Sequence, residues 1–109
     1  MELCSFGPVS DITSTLNKVG LHLNEDQVAY IIKEVVHALI YLQQNLFIHR
    51  DIKGSNILLT EQCEVKLVDY GISCQLESEE DRRHSRAGTP YWMAPEVGNK
   101  LITSILIIN

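Results

Sequence analysis

The chain has 109 residues, a net charge of −5, 45% hydrophobic residues and 21% charged residues. This composition is typical of one soluble domain with a small core, and the acidic balance argues against nucleic-acid binding. The cysteines (Cys4, Cys63 and Cys74) are widely spaced and form no C-x-x-C pair, which favours reduced thiols over a disulfide framework or a zinc site. We expect a cytoplasmic protein with no signal peptide and no membrane-spanning segment.

The first predicted elements are a loop and a short helix. Residues 1–8 are expected to form the loop, because they end in a Gly-Pro pair. Apolar residues then recur at helical spacing, which predicts a helix from Ser10 to about Lys18. Gly20 is expected to end this helix, since glycine readily adopts the left-handed conformation that follows a helix C-terminus.

A second, longer helix has the clearest pattern in the chain. Asn24 is a suitable N-cap, and Gln27 stands three residues later, as in a capping box. The helix is predicted to continue to about Leu46. Its apolar stripe consists of Val28, Ile31, Ile32, Val35, Leu39 and Leu42.

The rest of the chain combines two short apolar runs with irregular segments. "NILLT" and "EVKLVDY" are joined by Glu61, Gln62 and Cys63, which predicts a β-hairpin. Residues 77–88 carry charges of both signs without periodicity, so they are expected to form a mobile loop. Residues 98–109 are rich in Ile and Leu and have no helix caps, unlike the segments before them.

The stretch "HRDIKGSN", residues 49–56, places several polar residue types between two apolar segments. A solvated polar turn is the simpler interpretation, but the fixed order of the residues favours phosphoryl transfer. That chemistry needs a carboxylate to orient and deprotonate a hydroxyl, a cation near the moving phosphoryl group, and an oxygen ligand for Mg²⁺. Asp51, Lys53 and Asn56 supply these three functions in turn.

Two further motifs support this interpretation. Asp69 follows an apolar run and precedes Gly71, and alone it would indicate an ordinary Asp-x-Gly turn. The predicted hairpin, however, would return Asp69 to the side of Asn56, where both could share metal and phosphate. The word "GTPYWMAPE", residues 88–96, is too specific for an irregular buried loop.

Together these motifs resemble a eukaryotic protein kinase. "HRD" with Asn56 is similar to the catalytic loop, "DYG" to the Asp-Phe-Gly motif and "APE" to the end of the activation segment. The words "HRDIKGSNILLT", "VKLVDYGIS" and "GTPYWMAPEV" resemble the sterile-20-like serine/threonine group, and "MELC", "NILLT" and "QLES" resemble its class III myosin kinase domains, with germinal-centre-type kinases as the runner-up. The implied fold is α+β: a partial kinase fold over residues 1–97, mostly the helical C-terminal lobe with a small β-hairpin.

The resemblance implies a nucleotide contact at the start of the chain. "MELC" matches the hinge, with Met1 at the gatekeeper position. The carbonyl of Glu2 and the amide of Cys4 would bond adenine, and Leu58 would lie under the ring. ATP and Mg²⁺ are the implied cofactors.

The resemblance also assigns the catalytic positions. Asp51 would be the base, Lys53 would stabilise the transferred phosphoryl, and Asn56 and Asp69 would bind Mg²⁺. Tyr70 stands where the family has Phe, a mild change whose ring would fill the same apolar slot.

Regulatory positions follow in the same way. Ser85 falls at the family's activation-loop phosphosite, to be modified by an upstream kinase or by autophosphorylation, and Arg50 would pair with the phosphate. Lys53, with Thr89 of "GTPYW", favours Ser/Thr over Tyr substrates.

The N-terminal lobe is expected to be absent from this chain, and Glu96 would lack its usual arginine partner. Our hypothesis is that residues 98–109 are translated intron, because Gly98-Asn99-Lys100 can be encoded by GGT-AAT-AAA, which contains the GTAA start of a splice donor. A marginal or partly molten chain without activity of its own is therefore expected.

Two functions remain open at this point. The first is a fragment of a Ser/Thr kinase that transfers the ATP γ-phosphoryl group to protein hydroxyls, with cytoskeletal partners reached through missing domains. The alternative is a catalytically inactive truncated product or a non-catalytic binding scaffold.

Overall fold

The computed structural model describes residues 6–70, 73–76 and 88–95. Its elements, in chain order, are β1 (Gly7–Pro8), α1 (Val9–Lys18), α2 (Glu25–Gln44), β2 (Phe47–Ile48), β3 (Ile57–Leu59), β4 (Val65–Leu67) and β5 (Cys74–Gln75). The described residues belong to two compact units, one of residues 6–39 with 53–68 and the other of residues 40–52 with those from 69 onward. Neither described helix is long and apolar enough to cross a membrane.

Helix α1 begins one residue before the predicted start and ends as predicted. Gly20 has a φ of +74° and its N–H donates to the Asn17 carbonyl at 3.1 Å, while the Leu21 N–H donates to Leu16 at 2.9 Å. These two bonds form a Schellman motif, which satisfies carbonyls that the last turn leaves without helical partners. The prediction that Gly20 ends the helix is therefore confirmed.

Helix α2 has the predicted capping box. The Gln27 N–H donates to Asn24 Oδ1, and the Asn24 N–H donates to Gln27 Oε1, both at 2.9 Å. The helix ends at Gln44, two residues before the predicted end. Leu46 adopts a left-handed φ of +57°, which is incompatible with another helical turn.

The apolar stripe of α2 is only partly covered. Ile31, Val35 and Leu42 are buried, whereas Val28 and Ile32 are 39% and 57% exposed. Neighbouring helical residues point about 100° apart, so Ile31 and Ile32 cannot both face one narrow contact. The periodicity predicted the helix correctly, but it marked a wider apolar face than the described residues cover.

The first unit contains a three-stranded antiparallel sheet in the order β1–β3–β4. The predicted hairpin is confirmed: Ile57 pairs with Leu67 and Leu59 with Val65. The prediction of a loop through residue 8 is wrong at Gly7 and Pro8, which pair with Leu59 and Leu58. A two-residue edge strand made of Gly and Pro has no alternating pattern, so only its pairing with β3 defines it as a strand.

The second unit contains a two-stranded antiparallel sheet that the sequence did not predict. Phe47 pairs with Gln75 and Ile48 with Cys74. The Leu76 N–H donates to the Leu46 carbonyl at 2.7 Å, and Leu76 is 3% exposed. This sheet pairs the two residues before His49 with residues 74 and 75. It therefore fixes the position at which the "HRD" motif begins.

Candidate active site

The "HRD" motif follows β2 directly and turns sharply at its central residue. Arg50 has a left-handed φ of +69°. The Asp51 N–H then donates to Nδ1 of His49 at 3.2 Å. His49 is 2% exposed and Asp51 9%, so this turn carries polar side chains into a buried position. The turn, rather than an extended continuation of β2, sets the position of the Asp51 carboxylate.

The structure brings Thr89 to the Asp51 carboxylate, although the residues are 38 positions apart. Thr89 Oγ1 donates to Asp51 Oδ1 at 2.6 Å. This distance lies in the normal range for a hydroxyl that donates to an oxygen acceptor. Thr89 is the residue before a short 3₁₀ turn at Pro90–Trp92, and the Trp92 N–H donates to its carbonyl at 3.0 Å. Asp51 can therefore accept a hydrogen bond from a hydroxyl in this conformation.

Gly88 packs against the same turn, a role that the sequence did not assign to it. Its φ is +123°, and a Cβ built at this position would lie 2.8 Å from the Arg50 carbonyl oxygen. Glycine is therefore required both by its backbone conformation and by the close approach of the Arg50 backbone. The glycine of "GTPYW" was visible in the sequence, but a single sequence cannot show which residue this glycine packs against.

The ring of Tyr70 lies beside the "HRD" motif. Its centroid is 5.1 Å from that of His49 and 6.2 Å from that of Phe47, in tilted and edge-on arrangements that aromatic rings favour. Tyr70 is nevertheless 48% exposed. The expected apolar slot is therefore only partly closed in the described residues, and the ring is not fully buried as a core side chain would be.

Lys53, Asn56 and Leu58 lie in the first unit. Asn56 is 5% exposed, and its backbone is held on both sides. Its N–H donates to the Lys53 carbonyl, and its carbonyl accepts from the Val68 N–H, both at 2.9 Å. Lys53 is half-buried and precedes the 3₁₀ turn Gly54–Asn56, while Leu58 is half-buried in β3.

The bond from Val68 bears on the predicted return of the hairpin. Val68 follows β4 and is bonded to the Asn56 backbone, and Asp69 is the next residue in the chain. Asp69 has a left-handed φ of +64° and is exposed. The hairpin therefore brings Val68, the residue before Asp69, back to the backbone of Asn56.

Asn56 carries an amide oxygen and Asp69 a carboxylate, which are kinds of oxygen ligand that suit Mg²⁺. Mg²⁺ prefers hard oxygen ligands and is usually held by one or two carboxylates together with substrate phosphates. Among the described residues, no three His, Cys, Asp or Glu side chains form a cluster that could enclose a metal.

Several predicted positions lie outside the described residues. They are Met1, Glu2 and Cys4 of the hinge, Gly71, the phosphosite Ser85, Glu96 and the tail of residues 98–109.

Comparison with known proteins identifies the class of protein. The protein kinase domain family matches residues 1–103, which is most of the chain. The chain therefore belongs to the protein kinases, and its resemblance to the sterile-20-like serine/threonine kinases is confirmed.

Several curated protein kinases are about as similar to this chain as one another. Over 97 residues, or 89% of this chain, it is 53% identical to Misshapen-like kinase 1 of Rattus norvegicus. Over the same length it is 50% identical to serine/threonine-protein kinase mig-15 of Caenorhabditis elegans and to Myosin-IIIa of Homo sapiens. These identities are too similar to choose between a class III myosin and the other kinases. The chain spans only 7%, 9% and 6% of these relatives, respectively.

Proposed function

We propose that this chain provides the catalytic loop of a serine/threonine protein kinase that transfers the ATP γ-phosphoryl group to protein hydroxyls. Asp51 acts as the base, orienting the substrate hydroxyl and accepting its proton. Lys53 stabilises charge on the transferred group. Asn56 and Asp69 hold Mg²⁺, which supplies charge neutralisation at the phosphates when it is bound.

The observation that carries this proposal is the hydrogen bond from Thr89 to Asp51. A base for a Ser or Thr hydroxyl must be an ionised carboxylate that can accept an O–H bond at short distance. The Thr89 hydroxyl makes such a bond with Asp51 at 2.6 Å. Thr89 therefore presents to Asp51 the same chemical group that a protein substrate would present.

The remaining assignments rest on the match between this chain and the family. Protein kinases in general use ATP and Mg²⁺, and the amide and carboxylate oxygens of Asn56 and Asp69 suit that metal. Leu58 is proposed to contact adenine. The hinge residues Met1, Glu2 and Cys4, the phosphosite Ser85 with Arg50 as its partner, and a cytoplasmic location belong to the proposal on family grounds.

A chimeric kinase tests the catalytic assignment. The 97-residue stretch shared with Misshapen-like kinase 1 would replace its counterpart in that kinase, of which it covers 7%. We expect Mg²⁺-dependent phosphoryl transfer to a protein substrate. Asp51→Asn should lower kcat by about 10²–10⁴-fold, because an amide keeps the shape of the carboxylate but cannot accept the proton.

The matched control is Asp11→Asn, the same chemical change at an exposed position on α1. It should leave kcat unchanged. A chimera without activity beside an active unmodified host would favour the alternative, a non-catalytic product. Full activity in the Asp51→Asn chimera would remove the role of Asp51.

One relative, Myosin-IIIa, is a myosin by name. We therefore include a cytoskeletal partner in the proposal, reached through segments other than these 109 residues. Co-sedimentation of the protein translated from the full-length transcript with actin filaments tests this part, and failure to pellet with the filaments would remove it.

A further inference from the structure

The three-stranded sheet carries a lysine on the same face as Leu58, the residue that is proposed to contact adenine. Leu58 pairs with Lys66 of β4 on one side and with Pro8 of β1 on the other. Side chains of directly paired residues lie on the same face of a sheet, with their Cβ atoms about 5 Å apart. The register therefore places Pro8, Leu58 and Lys66 in one row across this face.

The residues next to Lys66 in β4 belong to the opposite face of the sheet. Side chains alternate along a strand, so Val65 and Leu67 point away from the row that contains Lys66. Leu67 is 8% exposed, whereas the Lys66 side chain is 39% exposed. The face that carries Leu58 and Lys66 is therefore not the face that closes the core at Leu67.

The position of Lys66 along the sheet matches the proposed base rather than the proposed phosphates. Asn56, a proposed Mg²⁺ ligand, lies just before β3, and its carbonyl accepts the Val68 N–H at 2.9 Å. Leu58 comes two residues later, which is about 7 Å further along a strand. Lys66 is paired with Leu58, so it lies at the same level as the proposed adenine contact.

Glu64 draws the ammonium group of Lys66 toward the hairpin turn, away from Asn56. Lys66 Nζ lies 3.5 Å from Glu64 Oε2, and the Glu64 N–H donates to Thr60 Oγ1 in the turn at 3.1 Å. Long basic side chains cover apolar surface with their methylene stems while the charged group stays in a polar environment. This arrangement leaves the stem of Lys66, rather than its charge, beside Leu58.

We propose that Lys66 is a nucleotide-binding residue whose methylene stem packs against the purine base beside Leu58. The inference rests on the proposed function, because the proposed contact with Leu58 is what puts the base on this face. Lys66 has no step in the proposed phosphoryl transfer. The affinity for nucleotide is therefore the quantity that its substitution should change.

Two substitutions at residue 66 separate the stem from the charge. Lys66→Met keeps a long unbranched apolar stem and removes the ammonium group. Lys66→Ala removes both the stem and the charge. The matched control is Lys33→Ala, the same change at an exposed position of α2, away from the sheet face.

The readout is the dissociation constant for ADP in the chimeric kinase, measured with Mg²⁺ by displacement of the fluorescent analogue mant-ADP. Lys66→Ala should raise this constant about three- to tenfold, because the base loses contact with one or two methylene groups. Lys66→Met should stay within about twofold of wild type, since an exposed ion pair contributes little. Lys33→Ala should not change the constant.

Displacement of mant-ADP by pyrophosphate tests whether Lys66→Ala merely distorts the site. Pyrophosphate carries no base, so its dissociation constant should be the same in Lys66→Ala and in wild type. An equal loss of affinity for ADP and for pyrophosphate would overturn the inference. Equal losses of ADP affinity in Lys66→Met and Lys66→Ala would also overturn it, because they would assign the effect to the charge.

Leu58→Ala separates failure of this inference from failure of the proposed function. If Leu58→Ala weakens ADP binding and Lys66→Ala does not, the inference is overturned and the proposed contact of Leu58 with adenine stands. An inactive chimera in which Lys66→Ala still weakens ADP binding selectively would remove the proposed function and leave the inference standing. A chimera that binds no mant-ADP would remove both.

Discussion

At the scale of single residues, the candidate site depends on close backbone approaches as much as on charged side chains. Asp51 is held by the hydroxyl of Thr89 and the ring of His49. Arg50 lies between His49 and Asp51 in the chain. Its carbonyl oxygen faces Gly88 so closely that a side chain at residue 88 would have no room. The proposed base is therefore held by neighbours that have no step in the proposed reaction.

Replacing Gly88 with Ala should disrupt this arrangement. The new Cβ would meet the Arg50 carbonyl oxygen at 2.8 Å, and a φ of +123° is strained for any residue with a side chain. We expect kcat of the chimeric kinase to fall by about tenfold or more, because the Asp51 turn must shift.

Gly20→Ala is the control for this prediction. Gly20 also has a positive φ, of +74°, but a Cβ there would have nothing within 4 Å. It should cost about 1–2 kcal/mol of stability through backbone strain and leave kcat intact. Equal activity in the two variants would show that the contact with Arg50 is unimportant.

The sequence singled out candidate site residues but did not predict which residues surround them. Asp51 and Thr89 were both assigned as site residues, but their direct bond joins positions 38 apart, which no local pattern contains. The role of Gly88 was missed for the same reason. The aromatic ring at residue 70 was expected in an apolar slot, whereas it is half-exposed.

At the scale of elements, the sequence predicted helix ends well where capping residues satisfy the backbone groups that the helix leaves unpaired. The capping box of Asn24 and Gln27 and the Schellman motif at Gly20 both lie where the sequence placed them. Strands β1, β2 and β5 were not predicted. Each has two residues, so its existence depends on a distant partner and not on its own pattern.

The capping box allows a prediction for α2. Asn24→Ala removes the acceptor of the Gln27 N–H and should destabilise the helix by about 1 kcal/mol. The urea midpoint of the chimeric kinase, followed by circular dichroism, should therefore fall. Gln27→Ala should have a smaller effect, and the double variant should lose less than the sum, because the two bonds are reciprocal.

Gln44→Ala, an exposed change at the other end of α2, is the control and should leave the midpoint unchanged. Additive effects of Asn24→Ala and Gln27→Ala would show that the two side chains act independently.

At the scale of the whole molecule, the described residues bury little apolar surface. Their buried hydrophobic residues are Ile31, Val35, Leu42, Leu67 and Leu76, and none of their large side chains is fully buried. Along α2, Ile32, Ile40 and Tyr41 are 57%, 40% and 65% exposed. With few buried and several exposed hydrophobic side chains, we expect weak packing in the isolated 109-residue chain.

We therefore expect the purified chain to bind the dye ANS and to unfold with low cooperativity on heating, as measured by near-UV circular dichroism. Ile32→Gln should reduce dye binding without loss of helical signal, because the side chain is exposed. A sharp thermal transition with little dye binding would contradict the prediction.

The left-handed residues at the candidate site have a consequence for protein engineering. Arg50 and Asp69 both have φ above +60°, as does Cys63 in the hairpin turn, which has no proposed catalytic role. Glycine would adopt this backbone without strain, so a search for stability alone would favour it at all three positions. At residue 63 such a choice leaves the proposed chemistry untouched, whereas at residues 50 and 69 it removes the proposed phosphate partner and metal ligand. Stability and activity therefore select different amino acids at these two positions, and a stabilised version of this kinase segment should be designed with both of them held fixed.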